Sequence, residues 1–266
     1  RPLLERRDAR DAAHRLRVLV REMVEARQEE IAVDKAPLDL ATKIMTTEDS
    51  ETGSRFSKEE MIDQVAIFFL AGHETSAALL GWALWCLAAA PDWGERVAAE
   101  AIDFMAAPDM ARLSRMPVTR NVLRETLRLY PPVPMMVREN TCPEQFRARD
   151  VKTRSQLVLS PWHLHRHERI WPKPDQFDPD RWFRPEEKGP QTDAYMPFSA
   201  GPRVCTGAGF AMLEGVLLLA LIIRSYEFKP VEGQVPAPVT QLTVRSETGV
   251  WLSFKRRETS IQPPSA

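Results

Sequence analysis

The sequence predicts a mainly α-helical protein with a minor β portion, and three observations lead to this fold class. Long segments in the first half of the chain repeat apolar residues at the spacing of three and four that is typical of helices. Segments with the alternation of strands are short and begin only after Pro132. A stretch crowded with Pro and Asp, 171–190, lies among these short segments and favours irregular structure there.

The composition excludes several classes of function. A chain of 266 residues with 44% hydrophobic content can bury a substantial core. The 36 Lys and Arg residues balance 37 Asp and Glu residues, for a formal net charge of -1, so no nucleic-acid partner is predicted. Three cysteines, Cys86, Cys142 and Cys205, are too few for a disulfide framework. They indicate a reducing compartment, and we therefore expect a cytoplasmic location.

The first predicted helices are amphipathic. Between Asp11 and Glu30, apolar residues recur at helical spacing with charges on the remaining face. Pro37 precedes a second, shorter helical pattern in LDLATKIM, and the polar segment TTEDSETGSRFS predicts a surface loop. Ser57 and Glu60 have the spacing of a capping box, which predicts the start of the next helix.

That next helix contains the longest apolar segment of the chain, residues 65–90. Its length raises the possibility of a membrane span. His73 and Glu74 would then lie near the bilayer centre, at a cost on the order of 3 kcal/mol for the acid alone. A helix through the centre of a large soluble domain can also be apolar on all sides. We therefore predict a buried central helix, and membrane association is not visible in the sequence.

Further helices are predicted in RVAAEAIDFM, after a turn at Pro91 and Asp92, and in TRNVLRETLRLY, which stops at Pro131. The alternation of strands appears in VREN, SQLVLSPWHLH, QLTVRS and GVWLSFK. A Leu-rich helix returns at 212–226, and the polar end of the chain predicts a disordered tail.

The most informative segment is FSAGPRVCTGAGFAMLEG, in which Cys205 lies just before an apolar helix. A thiolate there is stabilised by the positive end of the helix dipole and by free backbone N–H groups, which suits a metal ligand. The glycines around it allow close approach of a large flat group. The ordinary alternative is a buried, inert cysteine, which we expect for Cys86 and Cys142. A nucleotide fingerprint beginning at Gly207 fails, because its third position falls on Met212 and no strand precedes it.

A second constellation, AGHETSA, lies in the middle of the apolar helix. Gly72 has no side chain, so a bulky ligand could approach the helix backbone there. Glu74 and Thr75 place an acid next to a hydroxyl, which is a pairing suited to proton transfer. Considered alone, the same residues could be a polar interruption satisfied by hydrogen bonds within the core.

Both segments resemble signatures of the cytochrome P450 family. The fixed positions of the family's cysteine loop are matched by Phe198, Gly201, Arg203, Cys205 and Gly207. Those of its central helix are matched by Ala71, Gly72, Glu74 and Thr75. The resemblance extends roughly from 16 to 254 and implies the P450 fold, incomplete at the N-terminus. We accordingly expect residues 1–256 to form the C-terminal part of a single P450 domain and 257–266 to form the tail.

The resemblance implies a haem b cofactor with Cys205 as the sulfur ligand of the iron. Thr75 is then expected to hydrogen-bond the dioxygen at the haem, and Glu74 to help relay protons to it. Arg203 and Arg138 are expected to bind the haem propionates, because guanidinium groups bind carboxylates in a forked geometry. The remaining haem-binding positions implied by the two motifs are Phe198, Gly201, Gly207, Ala71 and Gly72.

Glu125 and Arg128 have i, i+3 spacing on one predicted helix, which is usually a solvated surface pair. The family signature of Glu, two residues and Arg falls on this pair, with Arg181 in FDPDRW as its partner. The resemblance therefore implies a buried structural network that supports the cysteine loop.

The implied activity is that of a monooxygenase, which hydroxylates or otherwise oxidises an apolar small molecule. It would use dioxygen and two electrons from a redox partner, either a ferredoxin or a flavoprotein reductase. The family's substrate-pocket positions are apolar here, which favours a lipid-like, terpenoid or aromatic substrate. These positions are Ile67, Phe68, Val133, Met135, Met136 and Val250.

Two alternatives stay open at this point. A haem-binding protein without oxygenase activity, or an inactive fragment, would bind haem and be indifferent to Thr75. A metal hydrolase would instead use His163, His165 and His167, since alternation on a strand would place all three on one face. The family resemblance assigns a structural role to His165.

Overall fold

The computed structural model describes residues 2–184 and 193–258, and for residues 2–7 the backbone alone. Of the predicted disordered tail, residues 259–266 lie outside the described residues. Within the described ranges the α-helices are α1 (Pro2–Ala32), α2 (Leu40–Thr46), α3 (Lys58–Ala89), α4 (Pro91–Ala106), α5 (Met110–Ser114), α6 (Pro117–Leu129), α7 (Pro161–Leu164) and α8 (Ala208–Ser225). Short 3-10 helices span Pro179–Phe183 and Gly201–Arg203.

The described strands are short and pair into two-stranded antiparallel sheets. They are β1 (Met136–Glu139), β2 (Glu144–Phe146), β3 (Arg149–Val151), β4 (Gln156–Leu159), β5 (Tyr226–Pro230), β6 (Pro238–Thr240), β7 (Val244–Ser246) and β8 (Leu252–Arg256). The pairs are β1–β4, β2–β3, β5–β8 and β6–β7. The predicted class, mainly α with a minor β portion, is confirmed.

The chain divides into two compact units, Arg1–His73 and Glu74–Ala266, and the division falls inside α3. The first unit has a small core from α1, α2 and the start of α3, composed of Val20, Val24, Met45, Met61 and Ile62. The predicted capping box starts α3: the Ser57 backbone N–H donates to Glu60 Oε2 at 2.8 Å, and the Glu60 N–H donates to Ser57 Oγ at 3.4 Å.

The second unit has a larger core, built from the later part of α3 together with α4, α6 and α8. Gly215 on α8 shows how closely these helices pack, because a Cβ atom added there would meet Leu123 Cδ1 of α6 at 3.1 Å. The unit's buried apolar residues include Leu79, Ala83, Leu87, Val97, Ala101, Leu123, Leu127, Val216, Leu219 and Ile223.

The prediction of a buried central helix is correct for only part of α3. Leu79, Trp82 and Cys86 are buried, but Ile67 and Phe69 are more than half exposed. The core of the first unit reaches only as far as Ala66, and of the four apolar side chains that follow, Ile67, Phe69 and Leu70 are exposed. Among the described residues, α3 and α8 are long and apolar enough to cross a membrane, a test that core helices of soluble proteins also pass.

Two local predictions were wrong because of proline. The strand predicted through SPWHLH ends at Leu159, and Pro161 begins α7 instead. Pro91 likewise occupies the first position of α4 and does not mark a separate turn. In both places the fixed φ of proline suits the first turn of a helix, where a missing N–H costs no hydrogen bond.

Candidate active site around Cys205

The cysteine loop is a tight turn that leads directly into α8. The Cys205 backbone N–H donates to the Phe198 carbonyl at 2.8 Å, and the Ala208 N–H donates to the Cys205 carbonyl at 3.3 Å. Gly201 has a φ of +67°, a conformation that side chains disfavour, which explains why glycine is needed there. Phe198 packs against the core of the second unit, so its backbone fixes the loop to the core.

The surroundings of the sulfur fit a large, flat, thiolate-ligated group. Cys205 is exposed, and a Cβ added to Gly207 would lie 3.9 Å from its Sγ. The glycine therefore keeps the space beside the sulfur clear. The loop also stands at the N-terminal end of the 18-residue helix α8.

The structure brings Arg138 to the cysteine loop. Its Nη2 donates to Ser199 Oγ, in the residue after Phe198, at 3.1 Å, and its Nη1 donates to the Val137 carbonyl at 3.0 Å. Arg203 lies within the loop itself and is exposed. Two guanidinium groups thus stand at the same loop as Cys205, an arrangement that suits a cofactor carrying carboxylates.

The acid–alcohol pair Glu74 and Thr75 lies on α3, and both residues are half-buried. One carboxylate oxygen of Glu74, Oε1, accepts a hydrogen bond of 2.7 Å from Thr243 Oγ1. Ala71 and Gly72 precede the pair on the same helix and are exposed, and a Cβ at Gly72 would meet no heavy atom within 4 Å. A role of Ala71 and Gly72 in haem binding stays a prediction.

Helices α3 and α8 connect this pair with the cysteine loop. Ser76, which follows Thr75, donates from Oγ to Glu214 Oε2 of α8 at 3.3 Å. One turn further along α3, Leu79 Cδ2 would lie 3.9 Å from a Cβ at Gly215. Two motifs about 130 positions apart in sequence are therefore carried by neighbouring helices of one core.

The three residues of the predicted network lie together and are buried. Arg128 Nη2 donates to Glu125 Oε1 at 2.8 Å, and its Nε donates to Oε2 at 3.0 Å. Arg181 Nε reaches Glu125 Oε1 at 3.2 Å. Arg128 also donates to the carbonyls of His165 at 2.8 Å and of Pro174 at 2.5 Å. The bonds of Glu125 and Arg128 thus connect helix α6 to the irregular segment after α7.

Comparison with known proteins agrees with this geometry. The family model described as Cytochrome P450 matches residues 2–252. The chain belongs to the cytochrome P450 family. It is 34% identical over 245 residues to cyclooctatin synthase of Streptomyces melanosporofaciens, covering 91% of this chain and 53% of that protein. It is 33% identical over 228 residues to cytochrome P450 4V2 of Homo sapiens, covering 84% and 43%.

Among solved structures, the cytochrome P450DA heme domain superposes with a TM-score of 0.83 at 30% sequence identity, covering 91% of this chain and 53% of that one. The predicted P450 fold is confirmed by these matches. The family consists of monooxygenases with a thiolate-ligated haem iron. The chain spans about half the length of the curated relatives that it matches.

In this P450 chain, His165 links the Glu–Arg network to the cysteine segment. It is fully buried, and its Nε2 accepts a hydrogen bond of 3.0 Å from the Met196 backbone N–H. Its Nδ1 therefore carries the proton and donates to the Arg128 carbonyl at 3.2 Å. The histidine joins α6 to the chain that enters the loop at Phe198.

This position makes stability depend on pH. Burial lowers the pKa of His165 from 6.5 to about 4, so the unfolded chain binds the proton more readily between these values. The free energy of unfolding should therefore fall by about 3 kcal/mol as the pH drops from 6.5 to 4, and the contribution is fully present above 6.5. Urea unfolding across this range should show the loss in the parent and a shallower slope in His165→Gln. His163→Gln, on the exposed neighbour, should keep the parent slope, and equal slopes in all three proteins would contradict the assignment.

The three histidines do not form the alternative metal site. His163 lies on α7 and His165 and His167 on the turn after it, so they do not share a strand face. His163 Nδ1 is 2.8 Å from Ser160 Oγ, and His167 Nδ1 accepts from the Arg169 backbone N–H at 3.2 Å. Within residues 2–184 and 193–258, no group of three His, Cys, Asp or Glu residues is arranged to hold a metal ion.

The other two cysteines differ from each other. Cys86 is buried in the core, and burial raises the pKa of its thiol, so it stays protonated and inert. Cys142 was expected to be buried as well, but it is exposed, because it lies in the loop between β1 and β2.

The predicted substrate positions lie outside the two core clusters of the described chain. Ile67, Val133 and Met135 are exposed, whereas Phe68, Met136 and Val250 are half-buried. Val133, Met135 and Met136 belong to the segment that enters β1, and Val250 precedes β8. Their role in a substrate pocket stays a prediction.

Sequence reasoning missed two residues near these motifs, Thr243 and Ser199. Thr243 bonds Glu74 across 169 positions, and no local pattern marks it. Ser199, the bonding partner of Arg138, lies inside the cysteine motif at a position that the motif leaves variable. Its φ of +66° is unusual for a residue with a side chain, but a sequence does not display this strain.

Proposed function

We propose that the protein, in its full-length form, is a monooxygenase that hydroxylates or otherwise oxidises an apolar small molecule. It uses dioxygen and two electrons from a separate redox partner. The observation that carries the proposal is the junction of α3 and α8, where Ser76 bonds Glu214. At this junction, the helix that carries Glu74 and Thr75 contacts the helix that follows the cysteine loop. The proposed iron ligand and the proposed proton-delivery residues are therefore carried by adjacent helices.

Cys205 is proposed as the sulfur ligand, with Arg138 and Arg203 as the groups that bind the haem propionates. When bound, the haem would supply dioxygen activation, and a thiolate ligand would support that chemistry by donating electron density to the iron. Phe198, Gly201 and Gly207 are proposed to shape the loop around the haem, and Ala71 and Gly72 are proposed as further haem-binding positions. Support comes from the exposed sulfur, the glycine beside it and the Arg138–Ser199 bond.

Glu74 and Thr75 are proposed to deliver protons. The Thr75 hydroxyl donates a hydrogen bond to the oxygen substrate, and the Glu74 carboxylate takes up protons from solvent, which its half-buried position allows. The Glu74 carboxylate is held by Thr243 and lies on the residue before Thr75, so the proposed path of the proton is short.

The substrate is proposed to be lipid-like, terpenoid or aromatic. Support comes from apolar side chains that the two cores do not use, above all Met135 and Val133 before β1. Electrons are proposed to arrive from a ferredoxin or a flavoprotein reductase that docks on the exposed cysteine loop. The free cysteines support a cytoplasmic location.

The proposal is tested with the full-length protein and three probes, dodecanoic acid, limonene and naphthalene. The reduced carbon monoxide complex should show the red-shifted Soret band of a thiolate-ligated haem, and at least one probe should be oxidised. Thr75→Ala should keep the band, but the share of electrons that reaches product should fall at least about tenfold in favour of hydrogen peroxide, because proton delivery is lost.

Thr75→Ser retains the hydroxyl and serves as the matched control. Its coupling, which is the share of electrons that reaches product, should stay within about twofold of the parent protein. A parent protein without the red-shifted band would overturn the proposal. Unchanged coupling in Thr75→Ala would instead favour a haem-binding protein without oxygenase activity.

A further inference from the structure

Thr243 is a buried threonine whose hydroxyl has one well-defined acceptor. It lies in the turn between β6 and β7, is 3% exposed, and donates from Oγ1 to Glu74 Oε1 at 2.7 Å. Glu74 is half-buried, so one side of its carboxylate faces the turn while part of the residue is accessible to solvent. A buried hydroxyl thus holds the acid of the acid–alcohol pair.

The turn that carries Thr243 is anchored independently of this hydroxyl. The Val244 backbone N–H donates to the Pro132 carbonyl at 2.9 Å, and the Val244 carbonyl accepts from Trp82 Nε1 of α3 at 3.1 Å. Trp82 in turn stacks on Tyr130 with ring centroids 4.0 Å apart. These bonds place the turn against the same helix that carries Glu74.

The anchors separate two possible roles of the threonine. If the hydroxyl served only to fix the turn, it would duplicate the two bonds of Val244. Glu74, in contrast, has a long side chain with several rotatable bonds, and ordering it has an entropic cost. A group that transfers protons must stay within hydrogen-bond reach of its partner, so a donor that fixes one carboxylate oxygen favours the productive geometry.

We propose that Thr243 is a positioning residue that holds the Glu74 carboxylate in place for proton delivery next to Thr75. The inference rests on the proposed function, because it assigns Glu74 to the proton path. Thr243 acts through Glu74 and does not itself touch the reacting atoms. The β6–β7 turn, which carries no sequence motif, thereby contributes the residue that orients the Glu74 carboxylate.

The test compares Thr243→Val, which removes the hydroxyl at nearly constant volume, with Thr243→Ser, which keeps it. Thr240→Val makes the same substitution at an exposed position of β6 and is the matched control. In the full-length protein, with whichever of the three probes is oxidised, we expect Thr243→Val to lower the coupled share of electrons about fivefold. Thr243→Ser and Thr240→Val should remain within about twofold of the parent.

A double-mutant cycle decides whether the threonine acts through the acid. In a Glu74→Ala background, Thr243→Val should change coupling no further. A second readout is independent of turnover: the decrease in the urea midpoint caused by Thr243→Val should disappear when Glu74 is already Ala. An equal effect of Thr243→Val in both backgrounds, or a Ser variant as poor as the Val variant, would overturn the inference.

The two proposals fail in different ways. A parent protein that lacks the red-shifted carbon monoxide band refutes the proposed function. A parent protein that shows the band and couples electrons to product, but whose coupling is unaffected by Thr243→Val, refutes the positioning role alone.

Discussion

Replacing Cys205 by His is expected to abolish the red-shifted Soret band of the reduced carbon monoxide complex and to reduce product formation below detection. The band depends on a thiolate ligand to the iron, and a neutral imidazole would not supply the same electron donation. The loop has space for the exchange, because the Cys205 side chain is exposed. The variant should therefore still bind haem while losing the thiolate signature.

The other cysteines provide matched controls for this experiment. Cys142→Ser changes an exposed thiol and Cys86→Ser a buried one, and both should keep the red-shifted band. The measurement is the absorption spectrum of the dithionite-reduced protein before and after carbon monoxide. A Cys205→His protein that retains the band would show that another residue ligates the iron.

Replacing Arg128 by Met is expected to lower the free energy of unfolding by about 3–5 kcal/mol. The change leaves the Glu125 carboxylate buried without its main partner and strips the bonds from the carbonyls of His165 and Pro174. Both charged side chains are fully buried, so water cannot compensate for the loss. Haem retention should fall too, because His165 joins the Arg128 backbone to the chain before the cysteine loop.

Arg120→Met is the matched control for Arg128→Met. Arg120 lies on the same helix, but its bond to the Ser114 carbonyl at 3.0 Å is exposed, so its loss should cost about 0.5 kcal/mol or less. The measurement is urea unfolding of the two variants and the parent at neutral pH. A loss below about 1 kcal/mol for Arg128→Met would contradict the structural role.

The sequence predicted those features of the site that are written in local patterns. The cysteine loop is a run of fixed spacings within ten residues, and the acid–alcohol pair is two adjacent residues, so both can be read before any fold is known. Helix α3 could be located by its capping box and apolar length. Whether Glu125 and Arg128 are buried could not be read from their spacing, because i, i+3 pairs are usually exposed.

Features that depend on tertiary packing could not be predicted from the sequence. Thr243 meets Glu74, and Ser199 meets Arg138, only because the chain folds back over many positions. The prediction of a strand across His163 was wrong for a local reason. Pro161, shortly after the end of β4, begins a helix where the alternating pattern predicted a strand. The functional roles of Cys205, Glu74 and Thr75 stay predictions until the variants are measured.

The burial of the Glu125 carboxylate has a consequence for the irregular segment 172–182. The carboxylate accepts hydrogen bonds from Arg128, Arg181 and Trp182 and from the Asp178 backbone N–H, so it holds in place a segment whose own regular structure is limited to one short 3-10 helix. Dissolved ions screen exposed pairs, such as Arg17 with Asp63, within a Debye length of about 8 Å in physiological salt. Buried pairs are screened much less, so the bonds of Glu125 that connect α6 to this segment should depend little on ionic strength.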